Sequence, residues 1–466
     1  MSFQLASVNS RTPTTATVLL ALLCFLSLSS VSAQDDFFNS LDIDIATNEE
    51  SDSPHSFLGW INTDIGYGLQ APGALFSRSD SELNKAELSL FGQWDITLGE
   101  RSSFRFSGKA YHDEVYRLQD HNNYAADETS EFRNRFEIRD LYVEHEFDNG
   151  VYVKAGNQIL AWGMSEYLRV TDLINVENQY TFGQQDLEDL RLQVPALLSS
   201  VNINGLTLDA VFTYEAGGND IAPAGDEFDQ FVALRALGTQ LHRSEPEKQH
   251  EVFFRLSGQT AHGDFQLVAG EFNDNGFSLQ RIAGDTHNPE AFLGQNRMRA
   301  LGLALNRVAG PWLLFSEIGI HKDKTIRPVS NAFAIQAQGW QQKDQWLGVF
   351  GADYSGFRNL TLSAEVDVTR TLDNSRILFG PATQTSIGLR AYWTAMNERL
   401  QLVAVSNQLA ENLGRIDRLS VDYDWSDSLS LGLLWVNYTA PVNSYVHLFS
   451  RNDVLNVRFR YSFQSN

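Results

Sequence analysis

The chain is short of thiols, of basic charge and of long apolar runs, and each shortage removes a class of function. Its one cysteine is Cys24. Cys24 lies in an apolar stretch from Ala16 to Leu28 that follows Arg11 and precedes the small-x-small run Val31-Ser32-Ala33, with Asp35 and Asp36 just beyond. That order is expected of a secretory signal peptide over residues 1–33, because the apolar core is too short to span a bilayer. Leu23 stands where a lipoprotein would need a small residue, so Cys24 leaves with the signal. The exported chain then has no disulfide, no thiolate metal site and no cysteine nucleophile.

Basic residues number 35 against 58 acidic ones, a net charge of −23 that loss of Arg11 deepens by one. Nucleic-acid binding needs clustered basic residues, so it is excluded. Surplus acid suits a lumen that favours cations, or serves only to keep long loops soluble. After the signal no run of eighteen apolar residues occurs, which excludes a transmembrane helix. A soluble all-β enzyme and a transmembrane β-barrel remain.

Periodicity separates them. From Leu83 to Leu98, Ala86, Leu88, Leu90, Gly92, Trp94, Ile96 and Leu98 alternate with Lys85, Glu87, Ser89, Phe91, Gln93, Asp95 and Thr97. One face suits hydrocarbon and the other water. Comparable segments fall at 55–69, 83–98, 101–113, 134–147, 150–162, 197–203, 206–215, 249–260 and 263–272. They continue at 297–308, 312–322, 342–356, 359–370, 382–395, 398–410, 416–426, 428–439 and 453–463. Most are long enough for a tilted strand to cross a bilayer, which takes about nine to eleven residues. Links after even-numbered segments are tight, as at Asn204-Gly205, and those after odd-numbered ones are mostly long. This predicts an antiparallel outer-membrane β-barrel of about eighteen strands (sixteen is the alternative), with short periplasmic turns and long extracellular loops. The barrel is expected over residues 55–466. Segment 197–203 is the shortest and the weakest signal. In the last strand Val457, Phe459, Tyr461 and Phe463 alternate with Arg458, Arg460 and Ser462, although Gln464-Ser465-Asn466 follow where assembly signals favour a terminal aromatic.

So wide a barrel leaves a water-filled lumen unless loops plug it. Lys85, Glu87, Asp95, Arg105, Lys109, Glu365, Asp367, Asp422, Asp424, Arg458 and Arg460 are expected to look inward, either orienting a polar solute or only solvating the lumen. Leu301, Leu303, Leu305, Val403 and Val405 are expected on the same inner face, where they would suit an amphipathic or lipid-like solute; a bulge or register shift explains them equally. The loop 163–196 holds Trp162, Gly163, Arg169, Asp172 and Asn175 at or near its start, and a stretch from Asp186 to Leu192 with helical spacing. It is read as a plug or constriction, with a surface lid and an interfacial Trp162 as the alternative. Asn273-Asp274-Asn275-Gly276 reads as a turn, since it lacks the acidic ligands of a tight calcium site. No metal, cofactor or catalytic constellation is implied; the histidines are scattered and no Gly-x-Ser-x-Gly occurs. In the acidic segment 34–54, Phe37, Phe38 and Leu41 are spaced for a short periplasmic helix that docks a partner or caps the barrel, or else for a disordered leader.

Gly156, Gln158, Trp162 and Gly163, then Asp172, Asn175 and Pro195, resemble the pattern of an uncharacterised proteobacterial outer-membrane family known only as a domain of unknown function. Lys154 stands where that family more often has Arg. The resemblance implies a barrel whose gene accompanies inner-membrane exporters of the resistance-nodulation-division type, and it carries over no catalytic residue. The function expected is an outer-membrane channel or transporter for an amphipathic or hydrophobic small solute. A general or cation-preferring porin is the second reading. A non-conducting docking barrel of an envelope lipid-export complex, with a periplasmic or inner-membrane partner, is the third.

Overall fold

A computed structural model describes residues 54–73, 75–76, 82–118, 133–165, 168–185, 187–261, 263–285, 287–329, 335–410, 413–442 and 444–465. The expected signal peptide 1–33 and, but for Pro54, the acidic segment 34–54 lie outside them, and with that segment the docking helix.

Eighteen antiparallel strands form one sheet that closes on itself. They are β1 (His55–Gly68), β2 (Leu83–Thr97), β3 (Ser102–Asp113), β4 (Asn134–Glu146), β5 (Val151–Gln158) and β6 (Val194–Ile203). Next come β7 (Leu206–Thr213), β8 (Glu251–Thr260), β9 (Gly263–Asn273), β10 (Arg297–Ala309), β11 (Trp312–Ile326) and β12 (Gln341–Phe357). The last are β13 (Leu360–Thr371), β14 (Thr383–Ala395), β15 (Leu400–Leu409), β16 (Gly414–Ser426), β17 (Leu429–Thr439) and β18 (Val454–Ser465). Closure comes from β1, which pairs with β2 on one side and β18 on the other. Gln464 and Ser465 are rungs of that closing ladder, opposite Leu58 and Phe57.

Links after even-numbered strands are two to four residues long. At the β6–β7 turn Asn204 and Gly205 both take positive φ, 54° and 84°, the left-handed backbone that tight hairpins require. Links after odd-numbered strands are longer, apart from the four residues 410–413 after β15, and reach their extremes at 159–193 and 214–250. The exposed apolar residues, among them Ile61, Leu88, Leu90, Leu389, Val457 and Phe459, stand on the outer face. Trp94, Trp312, Trp393 and Trp425 lie toward the short-turn ends of their strands, where an aromatic girdle meets the headgroups.

Two of the boundaries that differ from those expected bear on the site. The segment 150–162 stops pairing at Gln158, and 197–203 begins at Val194, so the count of eighteen stands. The helical stretch at 186–192 is a single turn, Leu187–Leu190, followed by strand residues Arg191–Leu192. In β10 the expected face is reversed. Met298, Ala300, Gly302 and Ala304 look inward, opposite the inward residues of β9, and Leu301, Leu303 and Leu305 face outward. Val403 and Val405 do look inward, opposite Tyr392 and Arg390.

Candidate functional site

The lumen is occupied by its own loops, above all by residues 159–193, which turn inward where β5 ends. Their root is a knot of hydrogen bonds. Gln158 is buried and its Nε2 donates to the Ala196 carbonyl at 2.9 Å. Asn175, also buried, accepts from Leu160 N at 2.7 Å and donates to the carbonyls of Leu192 (2.8 Å) and Gln158 (3.3 Å). Trp162 sits 3% exposed in an apolar cluster with Leu160, Leu173, Ile174, Phe253 and Met298, and Arg255 lies 4.9 Å from its ring centroid. It is a core residue, not an interfacial one. Gly163 lets the chain pass close to Asp172: a Cβ there would lie 2.7 Å from the Asp172 Cβ.

Asp172 takes Arg169 Nη2 at 3.0 Å and Arg191 Nε at 2.8 Å. Burial opposes ionisation of that carboxyl, but the two guanidiniums hold it below the ordinary range. Arg169 also pairs with Glu177 at 3.3 Å, so it ties the loop to itself rather than presenting a charge to the pore.

The loop is then latched to walls around the barrel. Glu317 on β11 is fully buried and accepts from Met164 N (2.6 Å), Ser165 N (2.9 Å), Thr171 N (3.0 Å) and Thr171 Oγ1 (2.8 Å). Ser165 Oγ donates to Glu365 on β13, two residues from the buried Asp367. Gln266 on β9 donates to the Trp162 carbonyl. On the opposite side Tyr438 of β17 donates to the Phe182 carbonyl and Arg418 of β16 to that of Gln185. Asp189 takes Lys109 Nζ of β3 at 3.1 Å and Arg139 Nη2 of β4 at 2.7 Å. Burial raises the Asp189 carboxyl, and these two cations more than offset it, leaving it well below the usual range. The second long loop fills in above, with Asp220 on Arg135 and Phe228 stacked on Phe449.

The sequence-nominated wall residues all share the inward face but do not form one site. Lys85 lies 3.7 Å from Asp64 and 3.5 Å from Glu87, and Arg458 meets the other Asp64 oxygen at 3.3 Å. Arg105 pairs with Asp95 at 2.6 Å nearer the short turns. Arg460 covers Trp60 at 4.7 Å, and Asp424 closes the short-turn end of β16, where its backbone N–H donates to the Arg399 carbonyl at 2.8 Å. Asp422, Arg418, Arg458, Asp64 and Leu434 line a shallow open recess. Sequence reasoning missed Glu317, Gln266, Arg139, Arg418, Tyr438 and Asp189. Glu317 carried a signal, since it alternates with the apolar outer residues of β11; Asp189, in mid-loop, carried none. Asp274 of the Asn-Asp-Asn-Gly turn is met by Lys324 Nζ at 2.7 Å, which places an ammonium where a cation would sit.

A family model described as a protein of unknown function (DUF1302) matches residues 76–463. The chain belongs to that family. No curated protein matches it. Among solved structures, OccAB1 of Acinetobacter baumannii has a TM-score of 0.51 at 8% identity, over 88% of this chain and 97% of that one. The outer membrane protein opdK of Pseudomonas aeruginosa has a TM-score of 0.49 at 10% identity, over 88% and 98%. OccK9 (OpdG) of the same organism has 0.49 at 14%, over 88% and 97%. The likeness to OccAB1 is one of fold, that of an outer-membrane barrel. The residues that suggested the family, Gly156, Gln158, Trp162, Gly163, Asp172, Asn175 and Pro195, fall together at the root of the inward loop, with Pro195 paired to Asn157 in β5.

Proposed function

We propose that this protein is an outer-membrane channel for small amphipathic or hydrophobic solutes, narrowed by the loop 159–193 acting as a plug. The observation that supports this most is the division of the lumen into two walls. Beneath the loop the wall of β6 to β10 buries Val194, Ala196, Leu198, Val211, Phe253, Val268, Phe272, Met298 and Ala300 against it, around the ion pair of Asp209 with Arg255 at 2.6 Å and the polar Glu251 and Gln266. Across from it, β1 to β4 and β16 to β18 carry Asp64, Lys85, Glu87, Arg105, Arg418, Asp422, Arg458 and Arg460. A solute that displaces or skirts the loop meets a mainly apolar wall on one side and, on the other, a wall that sets paired charges beside Leu434 and Val436. A purely polar porin has no use for the first wall, and a lipid conduit has little use for the second.

Planar-bilayer recording tests this. The native chain is expected to show low basal conductance with brief openings, which an added amphiphile such as a medium-chain fatty acid prolongs. A large, steady conductance indifferent to the amphiphile favours the general porin instead.

A further inference from the structure

The barrel wall is not equally tall all round. On one side β11 and β12 run for 15 and 17 residues. On the other, β5, β6 and β7 have 8, 10 and 8. At about 3.3 Å per residue and a tilt of about 40°, eight residues rise only about 20 Å, short of an apolar band about 25 Å tall. The low side begins abruptly. β4 pairs with β5 only from Leu141 to Glu146, while its earlier residues down to Asn134 continue to pair with β3. Among the described residues no strand pairs with β4 from Asn134 to Asp140 on the β5 side.

The end of pairing is built by particular residues. Gly156 sits at φ 133°, where a Cβ would run into the Leu141 carbonyl. The next residue, Asn157, turns its amide up to donate to the Ile138 carbonyl at 3.1 Å and to that of Arg139. Its side chain thus caps carbonyls that a longer β5 would have bonded. Lipid does not tolerate an open sheet edge, so a free edge at this depth must border a polar space. Here that space is the lumen: Arg139 reaches Asp189 at 2.7 Å, and Arg135 reaches Asp220. On the outer side the flank is apolar and bare, with Phe136 67% and Ile138 48% exposed, and Leu197, Phe212 and Tyr214 also exposed along the low wall.

We propose that this notch, bounded by β4 and the tops of β5 to β7, is a lateral opening through which an apolar solute passes between the lumen and the outer leaflet. The proposal rests on the channel reading above and adds a route to it. The apolar body of the solute slides past Phe136 and Ile138 without crossing the polysaccharide outside, while a polar head meets the Arg135 and Arg139 ion pairs within. The inward loop then serves as the inner gate of a side door.

The test uses the exported chain, whose freedom from cysteine makes single-cysteine labelling clean. In cells whose lipopolysaccharide excludes the apolar dye N-phenyl-1-naphthylamine, the native chain is expected to speed dye uptake. Ile138→Cys, allowed to fold and then labelled with a bulky charged methanethiosulfonate, is expected to lose that uptake at least fivefold and to leave glycine entry unchanged. Leu389→Cys, outward on β14, changes neither when labelled. Uptake insensitive to the label at 138, or dye and glycine falling together, overturns the side opening while leaving the channel. No dye uptake by the native chain overturns the solute reading and the opening with it.

Discussion

Asp226 shows how a single carboxyl joins loops that the sequence keeps far apart. It accepts from Tyr116 at 3.4 Å, and Tyr116 in turn bonds Tyr180 of the plug loop. Burial first, and then the neighbouring charges of Glu227 and Asp229, push Asp226 up to about 8 from its ordinary 3.8. The folded junction therefore holds a proton that the unfolded loop releases. Its contribution to stability is complete below about pH 4 and is lost as pH rises through about 8. Limited proteolysis within 214–250, corrected for the protease's own pH profile, is expected to quicken several-fold between pH 5 and pH 8.5. In Asp226→Asn the rate stays flat. A native rate that does not change with pH means that the carboxyl is already ionised in the junction.

At the scale of elements, what could be read from the sequence was set by how a strand alternates. β2, β13 and β16 were legible because hydrocarbon faces one side and water the other. β10 was not. Its inner face is Ala300, Gly302 and Ala304 because the plug presses on it: a Cβ on Gly302 would lie 2.7 Å from the Thr171 Cγ2. Small inner residues looked like no face at all, and the leucines that touch lipid were assigned to the lumen. β6 began three residues early for a related reason, since Val194 and Pro195 read as the end of a loop. The same packing makes Glu317 the element's decisive residue. Its carboxylate answers four donors of the loop, and Gln would turn an N–H₂ toward some of them. Each unsatisfied buried partner costs about 1–3 kcal/mol. Glu317→Gln is expected to raise opening frequency in bilayer recordings roughly tenfold or more while the strands, whose backbone ladders bond one another, keep the heat-modifiable mobility of a folded barrel. Unchanged gating would show that Glu365 and Gln266 hold the plug without it.

The whole molecule consists of two structures held by different bonds. The closed sheet owes its stability to ladder bonds and to lipid around its outer face, as the unbroken pairing through β1 and β18 shows. The plug owes its place to the inner face and to the second long loop, which pairs with it at Asn178–Asp220. That separation was only half legible: segregated loop lengths announced the barrel, whereas nothing in 159–193 announced which walls it would reach, because Tyr438 lies more than two hundred residues away in sequence. It follows that replacing 163–191 by a short Gly-Ser linker between β5 and β6 leaves a barrel that still assembles. An eighteen-stranded wall without its plug encloses a water-filled lumen. Its conductance is expected to be steady and about tenfold or more above the native basal level, and the amphiphile response should vanish with the plug. Should the deletion fail to assemble, the apolar wall of β6 to β10 must need the loop to fold; should it assemble without added conductance, the lumen must be closed chiefly by 214–250 and the plug assigned to the wrong loop.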